Sequence, residues 1–324
     1  MVMTDPQVRF DGRAILVTGA GRGLGRMHAL LLAARGASVV VGDNGAAMDG
    51  GDPSTAPAHA VADEIRAAGG RAVACTADIA TEAGSNQAVE ACLKAFGRID
   101  GVLHNASTVP DNAPVETMSS RDLELVMRVN CFAGLWMARA AWPHMTGQGY
   151  GRIVLMSSAG VYGSAGNAPY AAAKAAVIGA MRCLALEGAG PGILVNVVAP
   201  AALTRMTERL PASAYADWFS QTMAPGKVSM GVAYLMSEDS QISGEIFHIG
   251  GGRIARLRIA ETEGALLSGD AIEDVRAQMP AVLTDEAVFY PANLEERSLK
   301  VAQLLGYTGE MPAGAFTVTP LGKG

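Results

Sequence analysis

The sequence is poor in charged and aromatic side chains. Only 17% of its 324 residues are charged and 5% are aromatic, whereas 50% are hydrophobic. A disordered chain has the opposite composition, so we expect a compact protein with a large buried core. Acidic residues outnumber basic ones by 31 to 25. The resulting net charge of −6 argues against a nucleic acid or an anionic membrane as the partner.

Cysteine is also scarce, and the four residues are scattered. Cys75, Cys92, Cys131 and Cys183 form no CxxC pair and have no histidine cluster beside them. We therefore expect reduced thiols, and neither a disulfide framework nor a metal site is predicted. The sequence shows no signal peptide and no apolar run of membrane-spanning length, which predicts a soluble, cytoplasmic protein.

Short β-branched runs alternate with longer segments of helical spacing. The strand candidates are apolar almost throughout, as strands buried on both faces are; they cover 13–19, 37–43, 71–78, 101–107, 151–158, 193–200 and 244–252. Helical spacing predicts helices over 24–34, 58–68, 81–96, 120–145 and 170–188. The alternation predicts an α/β fold with a doubly wound, seven-stranded parallel sheet and helices on both faces.

Two segments interrupt this alternation. A long loop rich in glycine, proline and aspartate follows the second strand over residues 42–60. The strand pattern stops after residue 252, and only two helical stretches follow, near 270–279 and 295–305. We therefore expect a main domain over 1–252 and a C-terminal extension over 253–324 that covers a cleft or a subunit interface.

A glycine-rich turn follows the first strand and opens the first helix. Gly19, Gly23 and Gly25 give the spacing TGxxxGxG, with Arg22 and Leu24 in the same turn. Glycine lets the backbone turn tightly and approach a pyrophosphate, and the helix N-terminus offers free N–H groups to phosphates. Three glycines also suit a simple bend. Their position in an alternating α/β chain favours a dinucleotide site.

An acidic residue, Asp43, ends the second strand 18 residues after Gly25. A carboxylate at this point accepts hydrogen bonds from the adenosine ribose and repels a 2′-phosphate, which favours NAD over NADP. Arg22 is an opposing signal, because a guanidinium in the turn binds that phosphate well. We weigh the carboxylate more heavily and predict NAD. A helix-capping or turn role for Asp43 stays open.

A third motif lies in the stretch SSAGVYGSAGNAPYAAAK, residues 157–174. If Tyr170 begins a helix, Lys174 lies one turn further on the same face. An ammonium beside a phenol stabilises the phenolate, so we expect the pKa of Tyr170 to fall from about 10 towards neutrality. A tyrosine tuned in this way takes a proton from an alcohol or returns it to a ketone. A serine ending the preceding strand would hold the substrate oxygen.

In this order along the chain, the three motifs resemble those of the short-chain dehydrogenase/reductase family. The resemblance implies a Rossmann-type fold, in which Tyr170 is the acid/base and Lys174 is its activator and a ribose ligand. Asn130, in RVNCFAG, is similar to the helix asparagine that holds a water in the family's proton relay. A polar residue satisfied inside a helix is the alternative reading of Asn130.

The resemblance also implies which residues surround the cofactor. Asp78 and Ile79 match the pair that flanks the adenine. Asn105 and Ala106 match the family's NNAG element, and Pro200 matches the proline after the sixth strand.

The chain departs from the family pattern at several positions. His104 begins the NNAG element, and we expect it to be a packed residue at the strand end. Ala201 replaces the usual glycine after the proline, which is expected to narrow the nicotinamide side of the cleft. The family's interval of 13 residues before Tyr170 gives Ser157, whereas counting along the strand gives Ser158. We predict Ser158 as the catalytic serine, because a deletion fits the loop better than the strand.

A finer resemblance is to the (3R)-hydroxyacyl-CoA dehydrogenase, or 17β-hydroxysteroid dehydrogenase type 4-like, branch of the family. It rests on the long loop, on ARAAWPHM (138–145) and on GEIFHIGGGRIARLR (244–258). It implies a 3-hydroxyacyl-CoA substrate, with a steroid alcohol as the alternative. Arg253, Arg256 and Arg258 would meet a CoA phosphate, or else form a solvated face or an ion-pair strip. We expect the substrate lining over 201–219.

Two other function classes remain as alternatives. A non-catalytic dinucleotide sensor typically loses the tyrosine and lysine, and a sugar-nucleotide epimerase has a GxxGxxG turn and a longer C-terminal domain. The sequence therefore favours an NAD-dependent oxidoreductase that acts on a small molecule. Alanine-rich faces on the helices of Asn130 and Tyr170 predict a homodimer or homotetramer.

Overall fold

The computed structural model describes residues 7–204, 211–310 and 312. The chain divides into two compact units, Met1–Arg256 and Leu257–Gly324. The three sequence motifs all lie in the first unit.

Eight strands form one sheet, in the order β3-β2-β1-β4-β5-β6-β7-β8. The first seven pair in parallel, which confirms the predicted doubly wound sheet. The strands are β1 Ala14–Thr18, β2 Ser38–Gly42, β3 Arg71–Cys75, β4 Gly101–His104, β5 Gly151–Met156, β6 Ile193–Ala201, β7 Ile246–Gly250 and β8 Arg253–Leu257.

The eighth strand was not predicted from the sequence. It follows β7 through Gly251 and Gly252, whose φ angles are +59° and +88°. Two residues join only antiparallel neighbours, and positive φ at both is typical of a tight hairpin turn. The glycines therefore reverse the chain instead of ending the sheet.

Eight α-helices belong to the described part of the first unit. They are α1 Gly23–Ala34, α2 Ala56–Ala67, α3 Glu82–Phe96, α4 Ser120–Met127, α5 Ala133–Gln148, α6 Ala168–Gly188, α7 Ala214–Thr222 and α8 Pro225–Met236. The helix predicted over 120–145 is interrupted by a π-helical turn at Arg128–Phe132. Sequence periodicity did not reveal α7 and α8.

The core lies on both faces of the central strands. Every residue of β1, β2, β4 and β5 is buried, as the continuous apolar runs predicted. Within the described residues, α6 alone is long and apolar enough to cross a membrane. It packs against β6 and buries Tyr170 and Lys174, so it is a core helix of this fold.

The second unit is small and open. It contains an antiparallel pair, β9 Glu261–Thr262 with β10 Val288–Phe289, and two helices, α9 Ile272–Thr284 and α10 Leu294–Leu304. Neither helix has a fully buried residue. An ion pair between Arg297 and Glu261, at 2.6 Å, links α10 to β9.

Candidate active site

The predicted site residues follow the carboxyl ends of the parallel strands. The glycine turn follows β1, Asp43 follows β2, Asn105 follows β4, and the serines follow β5. In open α/β sheets ligands bind at this edge, where the strand order reverses direction. The fold therefore collects residues that are far apart in the sequence.

Two glycines of the turn, Gly19 and Gly25, are packed too closely to carry side chains. A Cβ on Gly25 would lie 2.1 Å from the carbonyl oxygen of Gly19, and a Cβ on Gly19 would lie 2.8 Å from Cα of Ala106. Gly19 also has a φ of +64°, which favours glycine. Leu24 is buried behind the turn, whereas Arg22 is exposed at the start of α1.

Asp43 braces this turn. Its Oδ2 accepts a hydrogen bond from the N–H of Gly21 at 2.8 Å, and its Oδ1 accepts one from Gly45 at 2.7 Å. The turn role left open by the sequence is therefore present. Each carboxylate oxygen retains acceptor capacity for a further donor. The requirement for glycine at position 21 was not predicted from the sequence. A Cβ at Gly21 would lie 2.8 Å from Oδ2 of Asp43, so a side chain there would disturb the bond to Asp43.

Thr18 is a second residue that the sequence analysis missed. Its hydroxyl oxygen accepts hydrogen bonds from the N–H groups of Asn105 and Ala106, both at 3.1 Å. The side-chain amide of Asn105 donates, through Nδ2, to the carbonyl oxygen of Thr18 at 3.1 Å. The end of β1 and the segment after β4 are thus joined beside the glycine turn.

His104 is buried at the end of β4, as predicted. Its Nε2 lies 2.9 Å from the carbonyl oxygen of Val129, and its Nδ1 lies 3.0 Å from the hydroxyl of Thr18. The carbonyl requires a proton on Nε2, so the Thr18 hydroxyl donates to Nδ1. Burial, and secondarily the charge of Lys174, lowers the pKa of His104 to about 3.

Asn130 is buried within the π-helical turn. Its Oδ1 accepts a hydrogen bond from the N–H of Thr108 at 2.8 Å, and its Nδ2 donates to the Thr108 carbonyl at 2.9 Å. Single π-helical turns occur often at functional sites. These two bonds fix the Asn130 side chain against the segment after β4.

Tyr170 and Ser158 face each other. The Ser158 hydroxyl accepts a hydrogen bond from the N–H of Gly160 at 3.0 Å, and its position near the Tyr170 phenol favours the phenolate and acts to lower the pKa of Tyr170. The Ser107 hydroxyl also stabilises the phenolate, although its buried oxygen has no hydrogen bond of ordinary geometry. Two hydroxyl groups therefore surround the phenol.

Ser157 has a different environment. Its hydroxyl donates to the carbonyl oxygen of Lys174 at 2.7 Å, inside the core. The hydroxyl is therefore directed at the backbone of α6 and away from the phenol. This geometry favours Ser158 over Ser157 as the serine that binds a substrate.

The expected lowering of the Tyr170 pKa is wrong for this structure. Burial raises the pKa of Tyr170 above its usual value, and the nearby hydroxyl groups of Ser158 and Ser107 only oppose that effect. Lys174 instead loses basicity, because burial lowers its pKa to about 7. Its Nζ donates to the carbonyl oxygen of Met156 at 2.9 Å and lies 5.6 Å from the Tyr170 ring centroid.

The remaining predicted cofactor residues lie at the strand ends without a distinctive geometry. Asp78 is exposed and accepts a hydrogen bond from the N–H of Ala80 at 3.0 Å, and Ile79 is half-buried before α3. Pro200 is half-buried near the end of β6. The methyl group of Ala201 lies 2.6 Å from where a Cβ of Gly250 would be, so it is directed at β7.

The arginine cluster is only partly free to meet a phosphate. Arg256 forms an ion pair with Glu245, and Arg258 lies 4.9 Å from the ring centroid of Tyr290. Of the expected substrate lining, 205–210 lies outside the described residues. In the described residues that follow, Tyr215, Trp218 and Phe219 form an aromatic cluster on α7. Among the residues described, no group of three or more metal-binding side chains is present.

Comparison with known proteins places these residues in a family context. A sequence profile described as short chain dehydrogenase matches residues 13–214. A short-chain type dehydrogenase/reductase of Mycobacterium tuberculosis is 40% identical over 276 residues, or 84% of this chain and 94% of that protein. Peroxisomal multifunctional enzyme type 2 of Drosophila melanogaster is 40% identical over 82% of this chain. This chain spans 44% of that enzyme's length.

Solved structures give the same picture. The full-length Drosophila enzyme has a TM-score of 0.75 at 31% identity, covering 92% of this chain and 50% of the longer one. A 7α-hydroxysteroid dehydrogenase in complex with NADH and 7-oxo glycochenodeoxycholic acid has a TM-score of 0.67 at 28% identity. That match covers 75% of this chain and 95% of the other. The range matched by the sequence profile contains all four predicted catalytic residues.

Proposed function

Because this chain belongs to the short-chain dehydrogenase/reductase family, and is therefore an NAD(P)-dependent oxidoreductase, we propose that it interconverts a secondary alcohol and a ketone on a 3-hydroxyacyl-CoA thioester. The observation that carries the proposed chemistry is the position of the half-buried Ser158 hydroxyl near the buried Tyr170 phenol, at the edge that carries the glycine turn. The finer resemblance, supported by similarity to the multifunctional enzymes, carries the proposed substrate.

The residues of the turn fit a dinucleotide. A Cβ on Gly19 or Gly25 would collide with neighbouring backbone atoms, so glycine keeps the turn compact, and the first N–H groups of α1 are free to bind phosphates. Asp43 would hold the adenosine ribose. Asn105 and Ala106, which follow β4, would line the cofactor site on the other side of the glycine turn. Asp78 with Ile79 would flank the adenine, and Pro200 would lie at the nicotinamide end. When bound, the nicotinamide exchanges a hydride with the substrate and, when oxidised, adds a positive charge to the site.

Tyr170 is the proposed acid/base. In the oxidation direction its phenolate takes the proton of the substrate alcohol, and in reduction its phenol returns that proton. Burial disfavours the phenolate, so the positive charges near it must lower its pKa when the reaction complex forms. Ser158 would hold the substrate oxygen, since its hydroxyl already meets the phenol.

Lys174 and Asn130 are the proposed route for the proton. With a pKa of about 7, the Lys174 amine both accepts and releases a proton near neutral pH. Asn130 fixes the turn beside it through its bonds to Thr108, and it would hold a connecting water. Lys174 would also bind the nicotinamide ribose.

NAD is the proposed cofactor within the NAD(P) class. The carboxylate of Asp43 is fixed by two backbone N–H groups, so a 2′-phosphate would meet a negative charge that cannot turn away. Arg22 is exposed and would favour the phosphate. We expect kcat/KM with NAD to exceed that with NADP, and Asp43→Asn to reduce the ratio because it removes the charge and keeps the shape.

The test is the change in nicotinamide absorbance with (3R)- and (3S)-hydroxyacyl-CoA thioesters and with hydroxysteroids. Turnover of the (3R) thioesters supports the proposed substrate. Turnover only of free steroids or simple alcohols keeps the chemistry and contradicts the CoA assignment. Tight NAD binding without turnover of any of them would contradict the enzymatic proposal and favour a dinucleotide sensor.

We also propose that the protein is a cytoplasmic homodimer or homotetramer. The four cysteines are unpaired, which suits a reducing compartment. Phe132 and Leu186 expose apolar surface on the π-helical turn and on α6, where a partner helix would cover it. Light scattering after size-exclusion chromatography showing a monomer would contradict the assembly, and a fluorescent fusion inside an organelle would contradict the location.

A further inference from the structure

The long loop between β2 and α2 is an ordered structure, which we name the strap and define as residues 44–54. Its ends meet where the N–H of Ser54 donates to the carbonyl oxygen of Asn44 at 2.7 Å. At its tip the N–H of Ala47 donates to Gly51 at 2.7 Å. A compact loop with closed ends and internal bonds has the form of an Ω-loop, a class that is frequently functional.

The tip of the strap is bonded to the segment after β4. The carbonyl oxygen of Met48 accepts hydrogen bonds from the hydroxyl of Thr108 and, at 2.9 Å, from the N–H of Val109. Gly50 rests against Leu125 of α4, whose Cδ2 lies 2.9 Å from where a Cβ would be. The strap therefore starts and returns beside β2, and its tip reaches the segment after β4.

The path of the strap relates it to the cofactor edge. β1 lies between β2 and β4, and two inter-strand spacings amount to about 10 Å. The strap must therefore pass the end of β1, where the glycine turn lies. It starts next to Asp43 and is fastened two residues after Ala106, and both of these residues are proposed to hold the dinucleotide.

Thr108 bonds in two directions. Its main chain forms both hydrogen bonds with the Asn130 side chain, and its hydroxyl holds Met48. The side chain of Thr108 is buried, so the hydroxyl bond is shielded from water. Asp52, at a φ of +46°, is the one non-glycine residue with positive φ in the described chain, so the strap also holds backbone strain.

We propose that Thr108 is a positioning residue whose hydroxyl fastens the strap across the cofactor edge and thereby slows dissociation of the dinucleotide. The inference rests on the proposed function, because it assumes that a dinucleotide binds at the glycine turn. A fastened strap is already ordered when the ligand arrives, which reduces the entropy lost on binding. Release requires the strap to loosen, and the hydroxyl bond opposes that step.

A pair of conservative variants isolates the hydroxyl. Thr108→Val keeps the shape and the main-chain bonds to Asn130 but removes the donor to Met48. Thr108→Ser keeps the donor. Thr117→Val is the matched control, since it makes the same change where an exposed threonine hydroxyl donates to the carbonyl oxygen of Pro114 at 3.2 Å.

The measurements are the dissociation constant of NADH by fluorescence titration and its release rate by stopped-flow mixing. We expect Thr108→Val to raise both by about three- to tenfold, the usual worth of one hydrogen bond. Thr108→Ser and Thr117→Val should bind and release NADH as the parent does. The Tm of each variant is measured without cofactor. An unchanged Tm in Thr108→Val would show that its weaker NADH binding comes from the strap and not from general instability.

The outcomes separate this inference from the proposed function. Parent-like binding and release of NADH by Thr108→Val would overturn the inference and leave the oxidoreductase proposal intact. Equal weakening in Thr117→Val would also overturn it, because the effect would not belong to the strap. A folded parent that binds neither NADH nor NADPH would overturn both.

Discussion

At the scale of single residues, the two adjacent serines after β5 show how one position changes the role of a side chain. Successive side chains of an extended segment point to opposite faces. Ser158 therefore meets the Tyr170 phenol, while Ser157 donates to the carbonyl oxygen of Lys174 at 2.7 Å. The sequence left both candidates open because a count of residues does not reveal which face each one occupies.

This difference predicts opposite effects for the two alanine variants. Ser158→Ala should lower kcat by about 10²-fold or more, since a donor to the substrate oxygen is lost. Ser157→Ala should mainly lower the free energy of unfolding, by about 1–2 kcal/mol, because a buried hydrogen bond to α6 is lost. Steady-state kinetics and urea unfolding of both variants check this. The reverse pattern would assign the catalytic role to Ser157.

A second residue-scale prediction concerns Lys174. Burial lowers its pKa from the usual 10.5 to about 7, so the unfolded chain binds one more proton between these two pH values. The penalty for burying the charge is fully present below about pH 7 and disappears as the pH rises towards 10.5. Stability should therefore increase with pH across this window.

Lys174→Met removes the penalty and should raise the free energy of unfolding at pH 7 by about 1–3 kcal/mol, after the lost bond to Met156 is subtracted. The variant should also lose the pH-dependent component between pH 7 and 10 and most of its activity. Urea unfolding over this pH range is the measurement. If the variant is less stable than the parent at pH 7, the claim that burial of the Lys174 amine destabilises the fold is wrong.

At the scale of elements, the glycine turn is the most predictable part of the site. Its spacing is local, so the sequence alone correctly placed Gly19, Gly23 and Gly25 where the chain leaves β1 and opens α1. Gly21 and Thr18 were missed because their partners, Asp43 and Asn105, are distant in the sequence and meet only in the fold.

The turn predicts a clear difference between two Gly→Ala variants. In Gly25→Ala the new Cβ would lie 2.1 Å from Gly19, so the turn must open and NADH should bind at least about tenfold more weakly. Gly147→Ala in the last turn of α5 meets open space and should leave binding unchanged. Fluorescence titration checks both. If Gly25→Ala binds NADH as tightly as the parent does, the closely packed glycine turn is not needed for binding the dinucleotide.

Other elements could not be predicted because tertiary structure determines them. The π-helical turn at Arg128–Phe132 interrupts a pattern that reads as one continuous helix. It is held by long-range hydrogen bonds, from His104 Nε2 to the carbonyl oxygen of Val129 and from Asn130 Nδ2 to the carbonyl oxygen of Thr108. β8 was missed for a similar reason, since its pairing with β7 depends on the backbone angles of Gly251 and Gly252.

At the scale of the whole molecule, the two compact units differ in how they are stabilised. The first has a core of buried side chains on both faces of its sheet and contains every described residue of the proposed site. In the second, α9 and α10 bury no residue fully, and ion pairs of Glu261 and Glu263 hold α10. The first unit should therefore fold without the second.

A chain that ends after Leu257 tests this expectation. It keeps β8 complete and should retain the cooperative unfolding and the NADH affinity of the parent, because no proposed cofactor residue is removed. A higher KM for the thioester with unchanged NADH binding would assign the C-terminal extension to the substrate. Loss of folding would show that the extension is part of the core structure.

The most direct measurement of the central claim compares the parent with Tyr170→Phe. Turnover is followed by nicotinamide absorbance with a (3R)-hydroxyacyl-CoA thioester, and NADH binding is measured on the same preparations. We expect turnover to fall by about 10²- to 10⁴-fold in Tyr170→Phe, while NADH affinity stays within a factor of about two. Turnover by Tyr170→Phe at the parent rate would contradict the claim that this phenol moves the proton.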